Sequence, residues 1–90
     1  MQKRNHIFFS GMVQGVGFRF GALSLAKKYN IKGWVKNLND GRVEIIAEGK
    51  NRDLDSFVSD LGIEFEGRVT SCEIVVEEIA CSFKDFRIIF

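Results

Sequence analysis

The 90-residue chain is 46% hydrophobic and 28% charged, apolar enough to bury a core and therefore not a disordered tail. Thirteen basic against twelve acidic residues leave a formal charge of +1, which excludes a general attraction to nucleic acid or anionic membrane, so any preference for anions has to be local. No run approaches the ~18 apolar residues of a membrane span, and Ile7 to Phe9 is too short for a signal-peptide core, so a cytoplasmic location is expected.

The predicted elements alternate. His6 to Val13 (HIFFSGMV) is rich in β-formers and runs into a glycine-rich turn, so it reads as a strand. From Phe18 onward, Ala22, Leu25, Ala26 and Tyr29 form one helical stripe, with Lys27 and Lys28 at the end where the helix dipole favours cations; Asn30 or Gly33 stops it. Trp34 to Leu38 and Arg42 to Glu48 are extended runs joined by Asn39, Asp40 and Gly41, a hairpin signal. In the second run Val43, Ile45 and Ala47 face a core, and Arg42, Glu44, Ile46 and Glu48 a mostly wet side.

Asn51 is placed to cap a second helix carrying Leu54, Phe57, Val58 and Leu61 on one face, with Gly62 as its stop. Val69 to Glu78 alternates as a fourth strand, and Phe86, Ile88 and Phe90 make a short final stretch. The order β-α-β-β-α-β predicts a single α+β domain over residues 1–90: a ferredoxin-like sandwich with a mostly antiparallel sheet and both helices on one face. Trp34, Phe8, Phe9 and the other aromatic residues are assigned to the core or a sheet face. Cys72 and Cys81 match no zinc spacing and read as free, semi-buried thiols.

The segment from Gly11 to Gly21, GMVQGVGFRFG, holds four glycines, one arginine and no acid. A strand, a glycine-rich turn and a helix make a definite electrostatic arrangement, because the first N–H groups of a helix have no intrahelical partner and sit at the positive end of its dipole. Gly15 and Gly17 can take the positive φ that turns several N–H groups toward one point. Arg19 adds a planar, permanently charged fork. A phosphate-sized oxyanion would be held from several sides. Gly15, Gly17 and Gly21 do not make a dinucleotide fingerprint, and the chain is too short for a doubly wound domain.

Gly11 to Arg19 resembles the G-x-V-Q-G-V-x-F-R signature of acylphosphatases, and Gly33 to Glu44 (GWVKNLNDGRVE) resembles their G-W-V-x-N-x-x-D-G-x-V-E block, in family order and spacing. The resemblance implies a ferredoxin-like fold and hydrolysis of small acyl phosphates to a carboxylate and inorganic phosphate, with no metal and no organic cofactor. By motif position Arg19 would bind substrate and Asn37 would hold the attacking water, while Gln14, Gly15, Val16, Gly17 and Phe18 would offer backbone N–H groups to the phosphoryl oxygens. Met12 stands where the family often has a basic residue, and Leu61 to Cys72 lacks the Gly-Pro that commonly follows the second helix. A monomer without nucleic-acid or membrane partners is expected.

Two alternatives keep the same fold. A phosphate-binding or regulatory domain would use the loop without turnover. An RNA-recognition module would explain the aromatic strand from Ile7 to Met12, but it needs aromatic residues on its third strand, and Arg42 to Glu48 (RVEIIAE) has none.

Overall fold

Because side chains alternate along a strand, each strand pairing decides which residues share a face. The computed structural model describes residues 2–77 and 83–90, and gives β1 (Gln2–Gly11), α1 (Phe18–Lys28), β2 (Lys32–Asn37), β3 (Val43–Lys50), α2 (Asn51–Glu64), β4 (Val69–Glu77) and β5 (Phe86–Ile89). The sheet runs β4-β1-β3-β2-β5, with β2 and β5 parallel and every other pair antiparallel. This is the ferredoxin-like α+β sandwich that the order of elements implies.

Ile7 of β1, Ile45 of β3 and Val35 of β2 lie in one cross-strand row, and all are fully buried. They belong to a core completed by Ala22 and Ala26 of α1 and by Leu54, Phe57 and Leu61 of α2. Each large side chain removed from water there stabilises the fold by about 1.5–3 kcal/mol. Both helices pack on this face, α1 over β2 and β5, and α2 over β3 and β1.

Several local expectations shift. β1 begins at Gln2, because Arg4 and His6 pair with β3 and β4, and it ends at Gly11, so Met12 and Val13 leave the ladder. Asn30, at φ 54°, takes the left-handed position after α1, as one of the two proposed stops. Asn51 is not a cap: Lys50 occupies that position without a side-chain bond, and Asn51 is already helical. Gly62 does not stop α2, which continues to Glu64 and turns at Gly67, φ 85°. A helix tolerates an interior glycine at a cost of about 1 kcal/mol, and the buried Phe65 after it keeps the last turn docked.

The second face of β3 is not mostly wet. Glu48 is only 2% exposed, because its carboxylate accepts two bonds from the Arg4 guanidinium, at 2.7 and 2.9 Å, and one from the Phe83 N–H at 3.4 Å. Ile46 is buried beside it. Cys72 is a free thiol on the exposed edge strand β4 rather than semi-buried, although partial shielding by its neighbours still raises its pKa. Cys81 lies outside the described residues.

Candidate active site

Three parts of the chain meet at one end of the sheet, beginning with the turn between β1 and α1. Gly15 and Gly17 have φ of 75° and 82°, the left-handed conformation that favours glycine, and Gly17 occupies the N-cap of α1 with no side-chain cap. The first helical bond runs from the Gly21 N–H to the Gly17 carbonyl at 3.0 Å. Among the described residues, the backbone N–H groups of residues 14 to 20 have no protein acceptor. They remain available, at the positive end of a helix whose first turn carries no acid.

Aromatic packing fixes this turn on the core. Phe18, 1% exposed, has its ring 5.0 Å from Phe9 and 4.7 Å from Phe65. Its side chain is thus part of the core. Val16 packs partly against the same core.

The second part is the end of β2. Asn37 pairs with the fully buried Val43, on the helix-covered face, and its Oδ1 is buried without a hydrogen-bond partner. A buried amide oxygen with no donor costs about 1–3 kcal/mol, so its retention asks for a reason. The Gln14 side chain joins the two parts. Its Nε2 donates to the carbonyls of Leu38 at 2.7 Å and Arg42 at 3.0 Å, which pins the glycine loop to the hairpin directly after Asn37. Sequence reading places Gln14 among the backbone donors and misses this side-chain role; its amide, with two N–H donors beside a turn, was the available signal.

Arg19 is the third part, half-buried on the first turn of α1. Its guanidinium lies over the Phe90 ring at 5.0 Å, and among the described residues no acidic side chain is within ion-pair distance. Parallel pairing of β5 with β2 sets Ile89 beside Lys36, so Phe90 falls one step further, at the level of Asn37. Phe90 is 91% exposed and Phe20 61%, which corrects the assignment of every aromatic residue to the core or a sheet face. Gln14 thus ties the turn to the residue after Asn37, and Phe90 ties Arg19 to the same end of the sheet.

The titratable His6 stands elsewhere. It lies on the opposite face of the sheet, with Nε2 2.6 Å from the Glu44 carboxylate. A groove of about 390 Å³, lined by Trp34, Phe83, Lys84, Arg87 and Ile89 among others, is likewise on that face and shares no residue with the turn. Among the described residues no cluster of potential metal ligands occurs, and no helix is long and apolar enough to cross a membrane.

The element and sheet order define a ferredoxin-like α+β sandwich whose first helix opens on an acid-free turn. The family profile of acylphosphatases matches residues 5–88. The chain is 39% identical over 89 residues to an acylphosphatase of Chlorobaculum tepidum, covering 98% of this chain and 97% of the relative. It is 40% identical over 87 residues to one of Methanospirillum hungatei, covering 96% of each. The crystal structure of acylphosphatase from Bacillus subtilis superposes with a TM-score of 0.90 at 37% identity, covering both chains completely. The chain belongs to the acylphosphatase family, and its activity is the hydrolysis of acyl phosphates to carboxylates and inorganic phosphate.

Proposed function

We propose that the turn from Gln14 to Phe18 and the Arg19 guanidinium bind the phosphoryl group, and that Asn37 orients the water that attacks it. The observation that carries this reading is the pairing of uncommitted N–H groups in the turn with an arginine that has no acidic side chain within ion-pair distance among the described residues. Phosphoryl transfer through a loose transition state is helped mainly by positioning and by positive charge at the equatorial oxygens. The N–H groups and the guanidinium supply both. Asn37 Oδ1 is an acceptor without a protein donor, suited to hold one hydrogen of a water, and its neutrality avoids repelling the substrate.

The leaving group needs no acid. A carboxylic acid has a pKa of ~4, so at neutral pH it departs as carboxylate. That suits a site bordered by Arg19, Asn37 and backbone amides, with His6 on the far face. The rate is nearly flat from about pH 5.5 to 7.5 in consequence. Binding through amides and a guanidinium makes the reaction independent of metal, and treatment with a chelator leaves the rate unchanged.

Hydrolysis of benzoyl phosphate by the wild type, Arg19→Ala and Arg19→Lys tests the reading. Losing the arginine raises the barrier by at least ~3–4 kcal/mol, the scale of a lost transition-state donor, and lysine rescues little because it lacks the planar fork. A folded Arg19→Ala protein with ordinary turnover overturns it.

A further inference from the structure

An arginine that binds an oxyanion through its N–H edge must be held by something that does not use that edge. A carboxylate would hold the guanidinium firmly, but it would take the same donors and cancel the charge. Among the described residues, no acidic side chain does this to Arg19. An aromatic ring stands there instead: Arg19 Cζ is 5.0 Å from the centroid of Phe90.

The position of Phe90 follows from the sheet. In β5, Phe86 and Ile88 alternate onto the helix-covered face, and the same alternation puts Phe90 on that face beyond the Lys36–Ile89 pair. Phe86 is 8% exposed and serves the core, whereas Phe90 is 91% exposed and gains almost nothing from burial. Its ring is therefore not explained by packing.

We propose that Phe90 is a positioning residue for Arg19: its ring face attracts the guanidinium and restrains its direction, while every N–H of the fork stays free for phosphoryl oxygens. This rests on the reading of Arg19 as the phosphoryl-binding arginine. A ring quadrupole can restrain a cation without neutralising it, so Arg19 keeps its whole charge for the substrate.

The test measures inhibition by inorganic phosphate and benzoyl phosphate kinetics for Phe90→Leu, Phe90→Ala, Phe90→Tyr and Phe90→Trp, each alone and combined with Arg19→Ala. Leucine keeps apolar bulk and lacks the quadrupole, so Phe90→Leu and Phe90→Ala weaken phosphate and lower kcat/KM about three- to tenfold, the scale of an exposed to partly desolvated cation–π contact. Phe90→Tyr and Phe90→Trp retain wild-type values. In the Arg19→Ala background, leucine and phenylalanine behave alike. Urea midpoints move only slightly, since an exposed ring adds one weak contact to the fold. A Phe90→Leu protein equal to wild type, or a leucine effect that persists without Arg19, overturns the role of Phe90 while leaving that of Arg19 intact. If Arg19→Ala by itself binds phosphate normally, the reading of Arg19 has failed first.

Discussion

The Gln14 side chain donates its amide Nε2 to the Leu38 carbonyl at 2.7 Å, joining the glycine turn to the residue next to Asn37. The same nitrogen reaches the Arg42 carbonyl at 3.0 Å, so one amide group spans both ends of the hairpin. Gln14→Met keeps the length and loses both bonds, at about 1–3 kcal/mol of stability. Gln14→Glu is worse near neutral pH, because it turns a carboxylate toward two carbonyl oxygens. Urea unfolding ranks the variants as wild type, methionine, glutamate. Turnover falls in the same order as the turn loosens from the strand end.

Asn37 predicts a trade between stability and activity. Its buried Oδ1 lacks a donor, so Asn37→Ala relieves a desolvation cost while removing the group proposed to hold water. Unfolding measurements should find Asn37→Ala no less stable than wild type, with kcat lower by about 100-fold or more and KM little changed. Ordinary turnover in the folded variant refutes the water-holding role. Asn37→Asp differs in kind, since a negative charge at the proposed phosphate site weakens phosphate binding itself.

The glycines separate three physical roles. A Cβ on Gly33, at φ 141°, would sit 1.8 Å from the Ile46 carbonyl oxygen, so Gly33→Ala has to move backbone and should cost several kcal/mol, more than the ~1–3 of a sparsely populated φ alone. A Cβ on Gly15 would meet nothing within 4 Å, but φ is 75°. Gly15→Ala therefore costs about 1–2 kcal/mol and lowers phosphate affinity by turning N–H groups away. Gly62 lies inside α2 with open space around it, and Gly62→Ala stabilises by about 0.5–1 kcal/mol without touching activity. Thermal unfolding of the three proteins gives two losses and one gain.

The candidate site is legible in the sequence because its parts are local: a strand, glycines and an arginine within one turn, and an asparagine closing a hairpin. Alternation likewise identified Val43, Ile45 and Ala47 as the core face of β3. What could not be read depends on distant partners. Glu48 is buried with Arg4, from 44 positions away, and the Phe83 N–H, from 35, among its partners, and nothing in RVEIIAE announces either. Phe90 has the same composition signal as any core phenylalanine. Its exposure arises because β5 runs out at the edge of the sheet, and its contact with Arg19 depends on the parallel register with β2. Gly62 looked like a stop because propensity is local, while the packing of Leu61 and Phe65 that carries α2 past it is tertiary.

Asp40 makes the hairpin sensitive to acid. Its carboxylate accepts the Arg42 backbone N–H at 3.1 Å and the guanidinium Nε at 2.8 Å, and these bonds, the backbone one foremost, hold its pKa below the usual carboxylate value. A pKa depressed in the folded state contributes stability that is fully present above the unfolded value of ~3.9 and is lost as pH falls through the lower folded value. The side chain is exposed, so water and salt screen the effect to a small one. Asp40→Asn keeps an oxygen for the backbone N–H and removes the charge. The difference in urea midpoint between wild type and Asp40→Asn should be constant from about pH 5 to 8 and should close as pH drops below ~4. A gap as wide in acid as at neutrality would mean that Asp40 shapes the turn by its acceptor oxygen alone, with ionisation playing no part.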